Sequence, residues 1–312
     1  MSHSDPAVLV IGEALIDAVR RAGSAPAEHV GGSPANVAFG LGSLGHDVRL
    51  ATWFGPDERG ARIQAACAAR SVRLVEGSDG AAHTSVAQAT LDAQGQASYH
   101  FDLTWAVPDL AGIDPVDHVH TGSIAATIEP GGAQVLDAVR ALRGRGTVSY
   151  DPNMRPTLMG SPDEVRDRVE AIIALSDVVK ASDEDIQWLY PGSHLPDVLR
   201  AWLDTGPALA VITRGGKGAL YAVRSATPGL VTTVSARPVE VIDTVGAGDS
   251  FMAGLVSGLL DAGYLGSLAA RERLAAAGID DVRPSIDRAL ATSSATVARA
   301  GAYAPTRSEI GA

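Results

Sequence analysis

The chain has 312 residues, which suits two small domains or one large α/β domain and is ample for a sizeable core. Thirty-six acidic residues against 25 basic ones leave a net charge of −11, which argues against a general nucleic-acid binder, needing a basic stripe, and against an anionic-membrane binder. Cys67 is the single cysteine, so an intramolecular disulfide framework and a cysteine-cluster metal site are excluded.

The opening stretch lacks the basic n-region of a signal peptide and meets a carboxylate at Glu13. Ala7 to Ile11 is a short apolar run ending at Gly12, the pattern of a strand buried on both faces. Ala35 to Leu44 reads as a helix, His46 to Trp53 as a strand and Arg59 to Ala69 as a helix carrying Cys67. Thr84 to Leu91 and Gln96 to Phe101, joined through Asp92 to Gly95, read as a β-hairpin, either a lid or an edge addition to the main sheet. Strands follow at Val116 to His120, Thr147 to Tyr150, Asp177 to Lys180 and Ala208 to Thr213, with helices at Gly131 to Leu142, Pro162 to Leu175 and Leu195 to Asp204. Val239 to Ile242 is expected as a strand and Phe251 to Leu260 as an apolar helix. That last stretch is half the ~20 residues a membrane-spanning helix needs, so a soluble, cytoplasmic protein is expected. Strands alternating with helices imply a mostly parallel sheet covered on both faces, with ligands at the carboxyl ends of its strands. With no repeat or long linker, the expectation is one domain over residues 1–312, with lid elements at about 13–30 and 84–105.

Several patterns are decoys. Gly40 to Gly45 (GLGSLG) matches a dinucleotide fingerprint, but it closes a helix and precedes a strand, the reverse of the required context. Gly45 is better read as the helix stop. Gly215-Gly216-Lys217-Gly218 lacks the spacing of a Walker loop. His118 and His120 share one face of a strand, where packed, hydrogen-bonded histidines are commoner than metal ligands, and Cys67 reads as a small core residue.

Five motifs carry chemistry. Asp243 to Phe251 (DTVGAGDSF) joins an apolar run to a helix; Gly246 and Gly248 let backbone N–H groups converge into an anion nest at the helix start. Asp249 beside that nest could accept a proton from an attacking hydroxyl, although alone it would be no more than a favourable N-terminal carboxylate. Gly31 to Ala38 (GGSPANVA) offers close backbone approach and, at Asn36, an amide suited to sugar hydroxyls. Asp17, just past the first strand, could accept two hydroxyl hydrogen bonds. In Asp151 to Pro156 (DPNMRP), Arg155 could clamp a carboxylate or phosphate. Val211 to Ala219 is strand, glycine-rich turn and strand, whose exposed backbone could hold nucleotide phosphates.

In this order the motifs resemble the ribokinase-like, PfkB-type carbohydrate kinases from Val8 to about Pro305, with GEALID, DPNMRP and Gly122 to Ala125 most similar to the fructokinase branch. The resemblance implies a three-layer α/β/α sandwich with a mostly parallel central sheet and a small β lid. It implies an ATP-dependent transfer of the γ-phosphoryl group to a hydroxyl of a small unphosphorylated sugar, first fructose, with Mg²⁺ and a monovalent cation such as K⁺. Asp249 would be the base and Gly246, Ala247 and Gly248 the anion hole. Asp17, Gly32, Asn36 and Arg155 would hold the sugar, with Trp105 closing on it. Thr213, Gly215, Gly216, Lys217 and Gly218, together with Lys180 and Ser182, would line the nucleotide. Asp243 and the backbone of Val245 would hold the monovalent cation. Ser182 and Asp185 replace the family's Asn and Glu, which puts metal placement through them in doubt, and Ser33 stands where members acting on sugar phosphates carry lysine. 2-Keto-3-deoxygluconate and 5-dehydro-2-deoxygluconate stay open as substrates; a sugar- or nucleotide-sensing protein is the non-enzyme alternative, and an NAD-linked oxidoreductase is a distant third. A homodimer paired through the lid is expected.

One compositional oddity bears on the site. Of 25 basic residues, Lys180 and Lys217 are the only lysines, and Asn36 and Asn153 the only asparagines, and these four fall in or beside the motifs.

Overall fold

Strands that are apolar on both faces must lie where helices cover both sides. The computed structural model describes residues 5–21, 27–91, 97–225 and 230–312. Its strands are β1 (Val8–Ile11), β2 (Leu15–Arg21), β3 (Ala27–Gly31), β4 (Val48–Ala51), β5 (Val72–Leu74), β6 (Val86–Leu91), β7 (Ala97–Asp102), β8 (His118–Gly122), β9 (Thr147–Asp151), β10 (Val178–Ser182), β11 (Leu209–Thr213), β12 (Ala219–Val223) and β13 (Thr232–Val234). Nine form one sheet in the order β13-β12-β11-β10-β9-β8-β1-β4-β5, parallel from β5 to β11, with β12 and β13 added antiparallel.

The helices are α1 (Ser33–Ser43), α2 (Glu58–Ala68), α3 (Gly131–Arg143), α4 (Pro156–Met159), α5 (Pro162–Leu175), α6 (Asp183–Leu189), α7 (Leu195–Thr205), α8 (Ala247–Asp261), α9 (Leu268–Ala276), α10 (Ile279–Val297) and α11 (Arg307–Ile310). Val8, Val10 and Val211 turn one sheet face toward α1, α8 and α10, while Leu9, Val179 and Ile212 meet α3, α5 and α7 on the other. The three-layer sandwich expected from the sequence is therefore present. Helix α8 lies at its centre, buried from Asp249 to Leu260, and Gly254 and Gly258 let α10 approach at Thr292 and Ser285. Helix starts follow local chemistry. Asp57 caps α2 by accepting from Gly60 N at 2.8 Å, and Ser161 with Glu164 forms a capping box ahead of Pro162.

The hairpin of β6 and β7 is not an edge of the main sheet. With β2 and β3 it makes a second sheet, ordered β3-β2-β6-β7; the expected turn at 92–95 lies outside the described residues. This sheet is fastened to α2 by Glu28, whose carboxylate meets Arg59 and Arg62, and by Asp57, which accepts from Thr84 N and Oγ1.

Other expectations hold or shift. Gly45 has φ 84° just past α1, as a helix stop requires. Cys67 is buried, and burial pushes its thiol up to about 12. His118 bonds Thr147 and Ser149, His120 bonds Ser149, and burial drives both imidazoles down to about 3. Val239 to Ile242 is not a strand. It is an exposed loop, Val241 at 58% and Ile242 at 65%, because its backbone pairs with the end of α10, where Ile242 N bonds Val297 O, and not with a strand. Among the described residues no helix is long and apolar enough to cross a membrane.

Candidate active site

The carboxyl ends of β1, β8, β9, β10 and β11 share one rim of the main sheet; Arg155 follows β9, Lys180 and Ser182 lie in β10 and Thr213 ends β11, whereas Asp17 lies in β2 and Gly32 and Asn36 follow β3 of the second sheet. Helix α8 begins at the same rim. Its N-cap, Gly246, takes φ 74°, a left-handed conformation that side chains resist, and a Cβ there would stand 2.6 Å from that of Ala302. The first-turn N–H groups of a helix have no intrahelical acceptors, so Gly248, Asp249 and Ala247, whose N–H also donates to Thr244 O at 3.2 Å, sit where an anion is favoured. Asp243 keeps this entry in place: its carboxylate accepts from Val245 N at 3.1 Å and Gly301 N at 2.8 Å, which holds it below the usual carboxylate range.

Asp249 is buried, and three donors converge on it. Ser33 Oγ donates to Oδ1 at 2.7 Å, Asn36 Nδ2 to Oδ2 at 2.8 Å, and Asn153 Nδ2 to Oδ1 at 3.4 Å. They come from two distant parts of the chain. Ser33 and Asn36 lie in the first turn of α1, whose N-cap Gly32 has φ 104° and touches the Glu13 carbonyl so closely that only glycine fits. Asn153 follows β9 with φ 38°, a conformation asparagine tolerates better than most residues. Asn36, expected on the sugar, spends its amide donor on Asp249. Ser33 and Asn153 were legible only as members of their motifs.

Asp17 is partly buried against Gly31, and burial pushes its carboxyl up to about 6 against the pull of Arg155. Arg155 is exposed; its guanidinium donates to Asn153 Oδ1 at 2.7 Å and Met154 O at 3.0 Å. Glu13, which carried no expected role, is buried and accepts from Ser33 N at 3.3 Å and Ala125 N at 3.2 Å. Burial raises it to about 7. Glu13 thus joins β1, the start of α1 and the residues after β8 beneath Asp17 and Asp249.

On the other side, Lys180 is buried and paired with Asp151 at 2.6 Å. Burial opposes its ammonium, but Asp151, Asp185 and Asp249 outweigh burial and hold it charged. Ser182 and Asp185 form a capping box for α6, and Asp185 also accepts from Met154 N at 2.7 Å. Both oxygens of Asp185 are therefore taken by backbone donors, and among the described residues no cluster of three His, Cys, Asp or Glu could hold a metal. Thr213 lies beside Ser182 in register and donates to Ala181 O at 3.3 Å. The turn Gly215–Lys217 is exposed between β11 and β12, with Gly215 at φ 50° and Gly218 at φ 82°. Trp105 is buried. Its ring packs on Gly131 and its Nε1 donates to Ala125 O at 2.9 Å, because an indole in the core needs an acceptor and finds one after β8.

Residues 5–309 match the model of the pfkB family of carbohydrate kinases. The chain is 33% identical over 276 residues to a fructokinase of Klebsiella pneumoniae, covering 84% of this chain and 87% of that one. It is 34% identical over 272 residues to a fructokinase of Rhizobium leguminosarum bv. trifolii, covering 81% and 79%. Among solved structures, a double mutant of the fructokinase of Vibrio cholerae O395, in a form with fructose, ADP and potassium bound, superposes with a TM-score of 0.81 at 25% identity, covering 99% and 98%.

Proposed function

The chain belongs to the pfkB family of carbohydrate kinases, and on that premise we propose that it transfers the γ-phosphoryl group of ATP to a hydroxyl of fructose. The observation that carries the assignment of roles is the Asp249 carboxylate, oriented by Ser33, Asn36 and Asn153 at the mouth of the glycine nest. In this reading Asp249 takes the proton of the sugar hydroxyl as its oxygen attacks phosphorus. The N–H groups of Gly246, Ala247 and Gly248 meet the charge that grows on the phosphoryl oxygens, and ADP leaves. Asp17, Gly32, Asn36 and Arg155 border the sugar. Thr213, Gly215, Gly216, Lys217 and Gly218 border the nucleotide, with Lys180 and Ser182 behind them. With both Asp185 oxygens committed to backbone donors, Mg²⁺ would enter with the nucleotide and would supply neutralisation of phosphate charge. Asp243 and the Val245 backbone are offered for K⁺, supported by the potassium-bound fructokinase of similar fold. The domain is read as single, with lid elements at about 13–30 and 84–105; a cytoplasmic homodimer paired through the second sheet rests on the family resemblance.

Fructose is preferred over 2-keto-3-deoxygluconate and 5-dehydro-2-deoxygluconate because the similar sequences are fructokinases. The test is a panel of these sugars and ribose with ATP, read as ADP release. The highest kcat/KM is expected for fructose. Another sugar preferred by tenfold would overturn the substrate, and no turnover with any of them would count against the kinase reading.

A further inference from the structure

We infer that Asp151 is a positioning residue that holds Lys180 as a detector of the terminal phosphoryl group, so that the site distinguishes ATP from ADP through a buried ion pair. The inference rests on the kinase reading above and deepens it.

Four observations carry it. First, the pair is deeply buried, with side chains 3% and 0% exposed, yet incomplete. Asp151 Oδ2 takes one ammonium proton at 2.6 Å, while Oδ1 is buried and has no partner. That single bond is also the one hydrogen bond Lys180 Nζ makes among the described residues, so two of its three donors are unspent. A buried ammonium is stabilised when its donors are filled, and a half-filled one marks a place a ligand completes.

Second, the unspent donors are beside the nest. A Cβ built on Gly248 would lie 3.1 Å from Lys180 Nζ, which places the ammonium against the first turn of α8. In the kinase reading the group in transit passes this first turn, which also carries Asp249, so the phosphate nearest Lys180 is the one ATP has and ADP lacks.

Third, the residue type is unusual for this chain, which uses arginine for all but two of its 25 basic residues. An arginine would hold a fixed planar fork toward Asp151, whereas an ammonium is compact and can rotate its donors to a new oxygen without leaving the first. Fourth, two polar neighbours are spent on other partners. His120, on β8 two strands from Lys180, bonds Ser149, and burial together with the field of Lys180 drives its imidazole down. Asp185 is spent on Ser182 N and Met154 N.

Asp151 thus does two things without touching nucleotide: it keeps the ammonium charged in a dry place, and it fixes the direction of the free donors. When the terminal phosphoryl is present, the lysine gains charge-assisted hydrogen bonds; when it is absent, the lysine falls back on Asp151 alone.

Calorimetric titration with ADP and with a non-hydrolysable β,γ-imido analogue of ATP tests this on the full chain, comparing the wild type with Asp151→Asn and Lys180→Met. Loss of charge-assisted bonds to phosphate is expected to weaken the analogue roughly 10-fold or more, with ADP affinity and KM for fructose changed less than about twofold. Should either single variant misfold, the double variant Asp151→Asn/Lys180→Met, which leaves no unpaired buried charge, gives the same comparison. Equal weakening of both ligands would make the pair merely structural, and unchanged affinity for both would remove its role; either result overturns the inference while leaving the kinase reading intact. A wild-type protein that binds neither nucleotide would overturn the kinase reading itself.

Discussion

Replacing Asp249 by asparagine separates the chemistry of this carboxylate from its place in the fold. The substitution keeps the shape and removes the charge and the proton-accepting oxygen. The structure indicates how the amide would settle. Oδ1 receives Ser33 Oγ at 2.7 Å and Asn153 only at 3.4 Å, whereas Oδ2 receives Asn36 at 2.8 Å. An amide placed with its oxygen toward Asn36 puts its NH₂ against Ser33, whose hydroxyl can rotate and accept. The one mismatch left is with the distant Asn153. The fold should therefore lose no more than about 1 kcal/mol, a Tm shift of under about 4 °C for a chain of this size. Catalysis should suffer far more. Loss of a positioned general base lowers kcat by roughly 10²–10⁴, a barrier increase of about 3–5.5 kcal/mol at 1.36 kcal/mol per factor of ten. Coupled ADP release with fructose, run beside circular dichroism and a thermal melt, measures both quantities. A folded Asp249→Asn protein with kcat within tenfold of the wild type would refute the assignment of Asp249 as base.

Three further outcomes follow from the same geometry. Gly248→Ala puts alanine at a helical position, which favours the helix by about 1 kcal/mol, but its methyl would stand 3.1 Å from Lys180 Nζ; Tm is expected to hold while kcat/KM for ATP drops at least roughly tenfold, and unchanged activity would count against the nest. Burial raises Asp17 to about 6, so protonation as pH falls through that value removes an acceptor for sugar hydroxyls: kcat/KM for fructose should be flat above pH 7 and stand about tenfold below that plateau by pH 5, a limb that Asp17→Asn should abolish. Burial raises Glu13 to about 7 from 4.5. The native state then holds this proton more tightly than the unfolded chain, and its contribution to stability is lost as pH rises from about 4.5 to about 7. The Tm of Glu13→Gln relative to the wild type should therefore climb across that window; a difference independent of pH would show that Glu13 does not titrate there.

The coarse architecture was legible because it depends on local periodicity. Val8 to Ile11 and Ala208 to Thr213 are apolar on both faces, and such runs can lie only under helices on each side. Glycine positions were legible for a related reason: Gly45 and Gly246 need conformations that glycine adopts without strain, and the chain supplies glycine there. Where periodicity was silent, reading failed. Val239 to Ile242 has the residues of a strand, but a strand needs a partner strand, and this segment's backbone instead bonds α10 at Val297 O. The bond from Trp105 Nε1 to Ala125 O was not legible either, because it joins residues 20 positions apart.

By itself, then, the sequence determined the parallel sheet, the order of its motifs and the backbone freedom of the nest, because each is set by residues close in the chain. Tertiary structure alone decided the environment of the reacting groups. Ser33 and Asp249 are 216 positions apart, and Asp151 and Lys180 are 29 apart on neighbouring strands. Whether a carboxylate is a base, a cap or half of an ion pair depends on the donors and the dryness around it, and those are properties of packing.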